Sequence, residues 1–390
     1  MTIEAGRNQQ HTGRIRYGMV GGGQGAFIGA VHRMAARLDD RYELFAGALS
    51  ASPDKAKASA AEIGLSPDRS YGSFEEMARA EAARPDGIEA VAIVTPNHVH
   101  HPAAKAFLEA GIHVICDKPV TTTLAEAEDL AAAVKRSGKL FVLTHNYTGY
   151  PMIRQARAMV AAGDLGTIRL VQAEYPQEWL TEPAERSGSK QAEWRTDPAR
   201  SGAGGAIGDI GTHAYNLAAF VTGLETDELL AQLTTFVEGR PLDDDVQVLL
   251  RYRGGARGML WASQVAVGHE NGLKLRVYGT RGGLEWVQAD PNYLWFTPFG
   301  EPRRLITRAG SGAGPAAARV SRIPCGHPEG YLEAFATIYS EAADAIVAAR
   351  SGAAPDPEVT FPGIEDGIAG MRFIEAAVAS SKAGNVWTKV

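Results

Sequence analysis

The chain has 390 residues, more than one ordinary domain holds, and its 45% hydrophobic and 22% charged residues are a globular composition. A formal net charge of −6 without a long basic run excludes a nucleic-acid partner held through phosphates, and two cysteines can neither staple such a chain nor build a cysteine-rich zinc site. The 44 glycines, about 11% of the chain against a usual level near 7%, follow no fixed period, which excludes collagen-like and repeat architectures.

Residues 1–13 are polar and read as a loose tail, not a signal peptide. No run approaches the roughly 18 apolar residues of a membrane helix, and free cysteines without an export signal point to a reducing cytoplasm. Ile15, Tyr17, Met19 and Val20 form a β-prone run that ends in glycines. A helix is predicted over 28–38, a strand over 42–49, and a second helix over 53–62, with Pro53 in its first turn and Gly64 past its end. Ser73, with Glu76 three residues later, opens a third helix over 73–83. Then follow a strand (90–94), a helix (102–110) stopped by Gly111, a strand (113–116), an amphipathic helix (124–137) stopped by Gly138, and a strand (140–143). Strands alternating with helices predict a parallel, doubly wound sheet.

The rhythm then changes. A strand over 168–174 leads into a polar stretch over 175–200 and a helix near 212–222. Strands are predicted over 229–238, 246–253, 258–267, 273–279 and 284–287, with Gly254-Gly255 and Gly282-Gly283 as hairpin turns. Strand beside strand predicts an antiparallel sheet. The Gly/Ala-rich residues 303–318 read as a mobile loop, and two helices, 330–349 and 363–381, close the chain.

Gly21, Gly22, Gly23, Gln24, Gly25 and Gly29 fall between the first strand and the first helix. Residues without side chains let backbone N–H groups approach a pyrophosphate, and the helix N-terminus adds positive potential. Gly21, Gly23, Gln24 and Gly25, with Ala26, Phe27 and Ile28 opening the helix, are therefore assigned to a dinucleotide. Gly29 comes three residues later than G-x-G-x-x-G requires. About 20 residues further on, where a carboxylate usually meets the ribose, stand Leu49 and Ser50. Ser50, Ser52 and Lys55 offer two hydroxyls and a cation suited to a 2′-phosphate, with Asp54 beside them, so the expectation is NAD or NADP with NADP favoured.

Ligands bind at the carboxyl ends of strands in such sheets. Two ends are chemically loaded: Thr95-Pro96-Asn97-His98-Val99-His100-His101 and Cys116-Asp117-Lys118-Pro119. Neighbouring loop histidines rarely converge on one ion, so no metal is expected there. Further on come Trp194-Arg195-Thr196-Asp197 and Asp209-Ile210-Gly211-Thr212-His213. In this order and spacing the four segments resemble the T-P-N-x-x-H, E-K-P, W-R-x-D and D-x-G-x-H motifs of the Gfo/Idh/MocA oxidoreductases, with Asp117 for Glu and a wider glycine loop. The resemblance spans essentially the chain after residue 14. The fold expected is α/β, with an N-terminal Rossmann-type doubly wound parallel sheet over 14–146. A C-terminal α+β domain over 147–390, with a largely antiparallel open-faced sheet, would serve substrate binding and oligomerisation.

Oxidising a secondary alcohol requires a hydride to reach nicotinamide C4 and the hydroxyl proton to leave. His213 is the natural base and Lys118 the natural cation beside the alkoxide, the pair the resemblance also implies. It implies further that Asp209, four residues before His213, holds a substrate hydroxyl or orients the histidine. Thr95, Pro96, Asn97, His100, Asp117 and Lys118 would face the cofactor. Substrate contacts are expected from Asn146, from Tyr147 where relatives often carry arginine, and from Trp194 and Arg195. His327 is placed to cap either the pocket or the following helix. The expected activity interconverts a CH–OH and a ketone on a cyclic polyol or sugar. Alternatives are a glycoside 3-dehydrogenase that prepares a glycosidic bond for cleavage and a non-catalytic dinucleotide-binding regulator. The expected partners are the small-molecule substrate and further copies of the chain in a homodimer or homotetramer, with no nucleic acid and no membrane.

Overall fold

A computed structural model describes residues 13–390; the expectations for the tail before them lie outside the described residues. Five strands, β1 (Ile15–Gly21), β2 (Tyr42–Ala48), β3 (Ala90–Val94), β4 (His113–Cys116) and β5 (Phe141–Leu143), form a parallel sheet in the order β2-β1-β3-β4-β5. All five residues of β3 are buried, as a strand covered by helices on both faces requires. The chain runs from β1 outward to β2 and then returns past β1 to β3. The strand order therefore reverses between the carboxyl ends of β1 and β3, where such sheets hold ligands.

The helices begin and end where their caps dictate. Ser73 Oγ accepts from Glu76 N–H at 3.2 Å, while the Glu76 carboxylate reaches back to Gly72 N–H. Helix Leu124–Ser137 carries a full capping box from Thr123 and Glu126 and stops at Gly138, whose φ of +64° suits glycine.

The second sheet has nine strands: β6 (Ile168–Pro176), β7 (Thr226–Thr234), β8 (Asp245–Tyr252), β9 (Arg257–Ser263), β10 (Lys274–Gly279), β11 (Gly282–Val287), β12 (Tyr293–Pro298), β13 (Arg304–Thr307) and β14 (Thr388–Lys389). Their order is β13-β12-β11-β10-β6-β9-β8-β7-β14, antiparallel except for the β6/β9 pair. Gly254 and Gly255 do turn the β8/β9 hairpin, at φ of +84° and +100°. The β10/β11 turn is instead Thr280-Arg281, and Gly282 and Gly283 are the first residues of β11. Residues 303–318 are not a plain loop: they hold β13 and the short helix Pro315–Ala318. Arg308, just after β13, is buried in an ion pair with Glu329 at 2.9 Å. The sequence reading had no helix at Pro151–Ala161.

Helix Tyr331–Arg350 returns to the first sheet. Phe335, Ile338, Tyr339 and Ala342 pack with Ile15, Tyr17 and Tyr42. Tyr42 Oη donates to Tyr339 O at 2.9 Å, and Leu143 N–H, at the end of β5, donates to Pro362 O at 2.8 Å.

Burial pushes His32 and His113 down to about 4 and His145 to about 3. The unfolded chain takes up these protons near pH 6.5 and the folded one only below pH 4–5, so stability falls as pH falls through that window. Each histidine should cost about 2 kcal/mol between pH 7 and pH 5. Urea midpoints at the two pH values test this, and equal midpoints would refute it.

Candidate active site

The glycine loop joins β1 to helix Phe27–Leu38. Gly21, Gly22 and Gly25 have φ of +78°, +71° and +78°, a region that favours glycine. A Cβ on Gly23 would lie 2.6 Å from Leu49 O, and one on Gly29 only 2.3 Å from Gly22 Cα. Gly29 therefore supplies the close helix-to-turn approach, and the three additional residues widen the loop ahead of it. Gly29→Ala should force the turn open and raise the dinucleotide Kd at least about tenfold, read by tryptophan quenching. An unchanged Kd would remove this role from the loop.

A cleft of about 700 Å³ runs from this loop along the strand ends. Gly21, Gly23, Gln24, Gly25, Ala26 and Ile28 line it, as do Ser50, Lys55, Thr95, Pro96, Asn97, Asp117 and Lys118. Ser52 and His100 are not on its wall, and Phe27 lines the adjoining pocket instead. His100 is fully buried, with its ring nitrogens 2.8 Å from Pro119 O and 3.0 Å from Thr95 O, so it ties two strand ends together from behind. His98 is exposed and His101 pairs with Asp129 at 2.8 Å, so the three histidines diverge. Glu75 also lines the cleft.

A second pocket, about 410 Å³, shares Ile28, Asp117, Lys118, Gln191, Arg195 and Asp209 with the cleft. It adds Asn146, Tyr147, Tyr175, Gln177, Trp179, His213, Glu270, Tyr331 and Phe335. Lys118 sits at the junction. Its Nζ donates to Asp209 O at 2.6 Å and to Asp209 Oδ1 at 2.8 Å. Asp209 Oδ2 accepts from Gln264 Nε2 at 2.9 Å and lies 3.3 Å from Arg195 Nε. Burial alone would raise the Asp209 carboxyl, but Lys118 and Arg195 hold it well below the usual carboxylate range.

Asp209 and His213 reach the same pocket through a turn of π-helix, Ile207–Gly211, leading into helix Thr212–Thr222. Asp209 does not bond His213: its two oxygens serve Lys118, Arg195 and Gln264. His213 is packed edge-on between Tyr147 at 4.9 Å and His145 at 5.4 Å between centroids. Its Nδ1 is buried without a hydrogen-bond partner among the described residues, which leaves Nε2 for the pocket. Burial, followed by the charges of Lys118 and His145, pushes the imidazole well below its ordinary value, so it is neutral near pH 7.

Tyr147 is buried at the pocket wall, its hydroxyl on that of Tyr175, which donates to Asn271 Oδ1 at 2.8 Å. Gln177 Nε2 donates to the same oxygen at 2.8 Å, and Asn271 Nδ2 to Gln288 at 3.0 Å. Sequence reasoning missed this amide–hydroxyl wall, along with Gln264, Glu270 and Tyr331. Trp194 lines the dinucleotide cleft, not the second pocket, with the Arg195 guanidinium 4.2 Å over its ring. His327 is exposed and lines neither; Arg308 donates to its carbonyl. The donor set fits a nicotinamide dinucleotide: a glycine cradle that a Cβ would fill, and two polar atoms buried and unpartnered among the described residues, Thr95 Oγ1 on the cleft side and Asn146 Nδ2 on the second-pocket side.

Comparison with known proteins agrees. Residues 15–156 match the family model of an oxidoreductase family with an NAD-binding Rossmann fold, and residues 153–285 match the GFO/IDH/MocA C-terminal domain. An oxidoreductase structure from Sinorhizobium meliloti is 62% identical, with a TM-score of 0.88 over 97% of this chain and 100% of that one. An inositol dehydrogenase homolog from Azotobacter vinelandii, solved with NAD+, is 37% identical with a TM-score of 0.94, covering 97% and 98%. Levoglucosan dehydrogenase of Pseudarthrobacter phenanthrenivorans is 30% identical over 69% of this chain and 73% of its own.

Proposed function

The chain belongs to the Gfo/Idh/MocA family of NAD-dependent oxidoreductases, and from that premise we propose that it interconverts a ring CH–OH and a ketone on a cyclic polyol or sugar. The observation that carries this reading is the meeting of Lys118, Asp209 and neutral His213 where the dinucleotide cleft opens into a pocket lined by hydroxyls, amides and aromatic rings. A nicotinamide bound in the cleft supplies the hydride acceptor or donor. His213 takes the hydroxyl proton through the nitrogen facing the pocket, and the Lys118 ammonium holds the oxygen as charge develops on it. Asp209 keeps Lys118 pointed at the junction. The A. vinelandii homolog has also been solved with NADH and myo-inositol, and levoglucosan dehydrogenase with NADH and levoglucosan, which supports a neutral ring as substrate class. The test is reduced-nicotinamide absorbance across inositols, pyranoses and glycosides. Tight dinucleotide binding without turnover of any of them would favour the regulator instead.

For the cofactor we place NAD ahead of NADP, reversing the lean given by Ser50, Ser52 and Lys55. Ser52 is off the cleft wall and Glu75 is on it, and a carboxylate there suits ribose hydroxyls and repels a 2′-phosphate. NAD should bind at least about tenfold more tightly than NADP, with Glu75→Gln narrowing the ratio; a preference for NADP would restore the first reading. We divide the work between residues 14–146, which hold the dinucleotide, and 147–390, which hold the substrate. The exposed Leu170, Leu249, Met259 and Tyr278 share one face of the second sheet. We assign that face to a second copy of the chain, which light scattering tests.

A further inference from the structure

Five side chains with a charge near neutral pH line the second pocket: Asp117, Lys118, Arg195, Asp209 and Glu270. Both cations are paired with one half-buried carboxylate, Lys118 at 2.8 Å and Arg195 at 3.3 Å from Asp209. Arg195 is held further by the Gln191 side chain and by the Trp194 ring beneath it. Asp117 Oδ1 accepts from Lys118 N–H and Thr144 Oγ1, both at 3.0 Å, and pairs with no cation among the described residues. Glu270 lies between β9 and β10, exposed at the pocket edge, with no hydrogen-bond or ion-pair partner among the described residues. The pocket thus sets three carboxylates against two cations, and both cations are already paired with Asp209.

We propose that the pocket selects by charge, taking an uncharged ring polyol and rejecting carboxylated or phosphorylated rings, with Glu270 as the specificity-determining residue. This rests on the oxidoreductase reading above. An anionic ring would enter beside Glu270 and Asp117 and would compete with Asp209 for Arg195 or Lys118, leaving that half-buried carboxylate with less countercharge. A neutral ring meets no such conflict. Its adjacent hydroxyls can donate to the free Glu270 oxygens, charge-assisted hydrogen bonds that are stronger than neutral ones. The Tyr147, Asn146 and Gln177 groups inside the pocket likewise offer hydrogen bonds without charge.

The test compares a hexuronate with its uronamide, two rings of nearly equal shape that differ by one charge. Each is measured as a competitive inhibitor of the dinucleotide-bound enzyme against its best neutral substrate. The uronamide should inhibit at least about 30-fold more tightly than the uronate. Glu270→Gln should narrow that gap several-fold, and higher salt should narrow it in the unsubstituted enzyme, because Glu270 is exposed to screening. The dinucleotide Kd of Glu270→Gln, a residue outside the cleft, reports that the variant is folded. Equal inhibition by the two rings, a gap that Glu270→Gln leaves intact, or no inhibition by the uronamide would each overturn the proposal. Turnover of no ring at all would overturn the oxidoreductase reading itself.

Discussion

Lys118→Met should lower kcat by about 10³- to 10⁴-fold while the dinucleotide Kd stays within a few-fold of its original value. The lysine ammonium lines both the cleft and the substrate pocket, and its partner carboxylate points it to their junction. Its loss removes the charge that meets the developing alkoxide, an effect worth about two to three orders of magnitude by itself. It also removes the group that lowers the alcohol's proton affinity for a weak base. Lys118→Arg separates charge from chemistry. Arginine keeps the positive charge but cannot give up a proton, and its planar fork does not fit a site shaped for a point donor. Recovery of most activity in Lys118→Arg would show that charge alone suffices; full activity in Lys118→Met would remove Lys118 from the mechanism. Single-turnover absorbance and fluorescence titration provide the two readings.

His213→Ala should cost about 10²- to 10⁴-fold in kcat, the range typical of a lost general base. Added imidazole should restore part of it, because the second pocket already opens onto the position of the lost ring; a histidine with only a packing role would show no rescue. The pH dependence carries a sign. A base works when deprotonated, and burial with Lys118 and His145 pushes His213 well below its ordinary value. The acid limb of kcat/KM should therefore lie below pH 6.5, with activity level through neutrality. Removing the Lys118 charge should move the limb of the residual activity to higher pH, since a cation no longer opposes protonation. A limb that rises above pH 7 in the unsubstituted enzyme would exclude His213 as the titrating base.

Most of the first sheet was legible because its strands are short apolar runs between helices with explicit caps: Ser73, Pro53 and Gly138 each stand at a boundary found in the structure. Two elements were missed for other reasons. Helix Pro151–Ala161 buries its polar Arg154 and Gln155, so polarity along it does not report which face meets solvent. Strand Tyr293–Pro298 buries only Leu294, which leaves no alternation to read. The site divides in the same way. Lys118, Asp209 and His213 stand in local motifs, and the structure brings them to one junction. Tyr175, Gln177, Gln264 and Asn271 are ordinary residues whose meeting depends on the register of β6, β9 and β10, a long-range property that no spacing announces. His327 shows the converse, a chemically attractive residue beside a helix start that ends on the surface.

Helix Tyr331–Arg350 covers one face of a sheet whose last strand ends at Leu143. At ribosomal rates of about 5–20 residues per second, roughly 10–40 s separate the emergence of β5 from that of the helix that seals it. Through that interval Ile15, Tyr17 and Tyr42 lack the part of their native cover that this helix supplies. Tyr331 and Phe335, which finish the substrate pocket, arrive on the same late helix. Nascent-chain quality control thus meets a nucleotide fold that is open on one side, and closing that side and completing the active site are a single event.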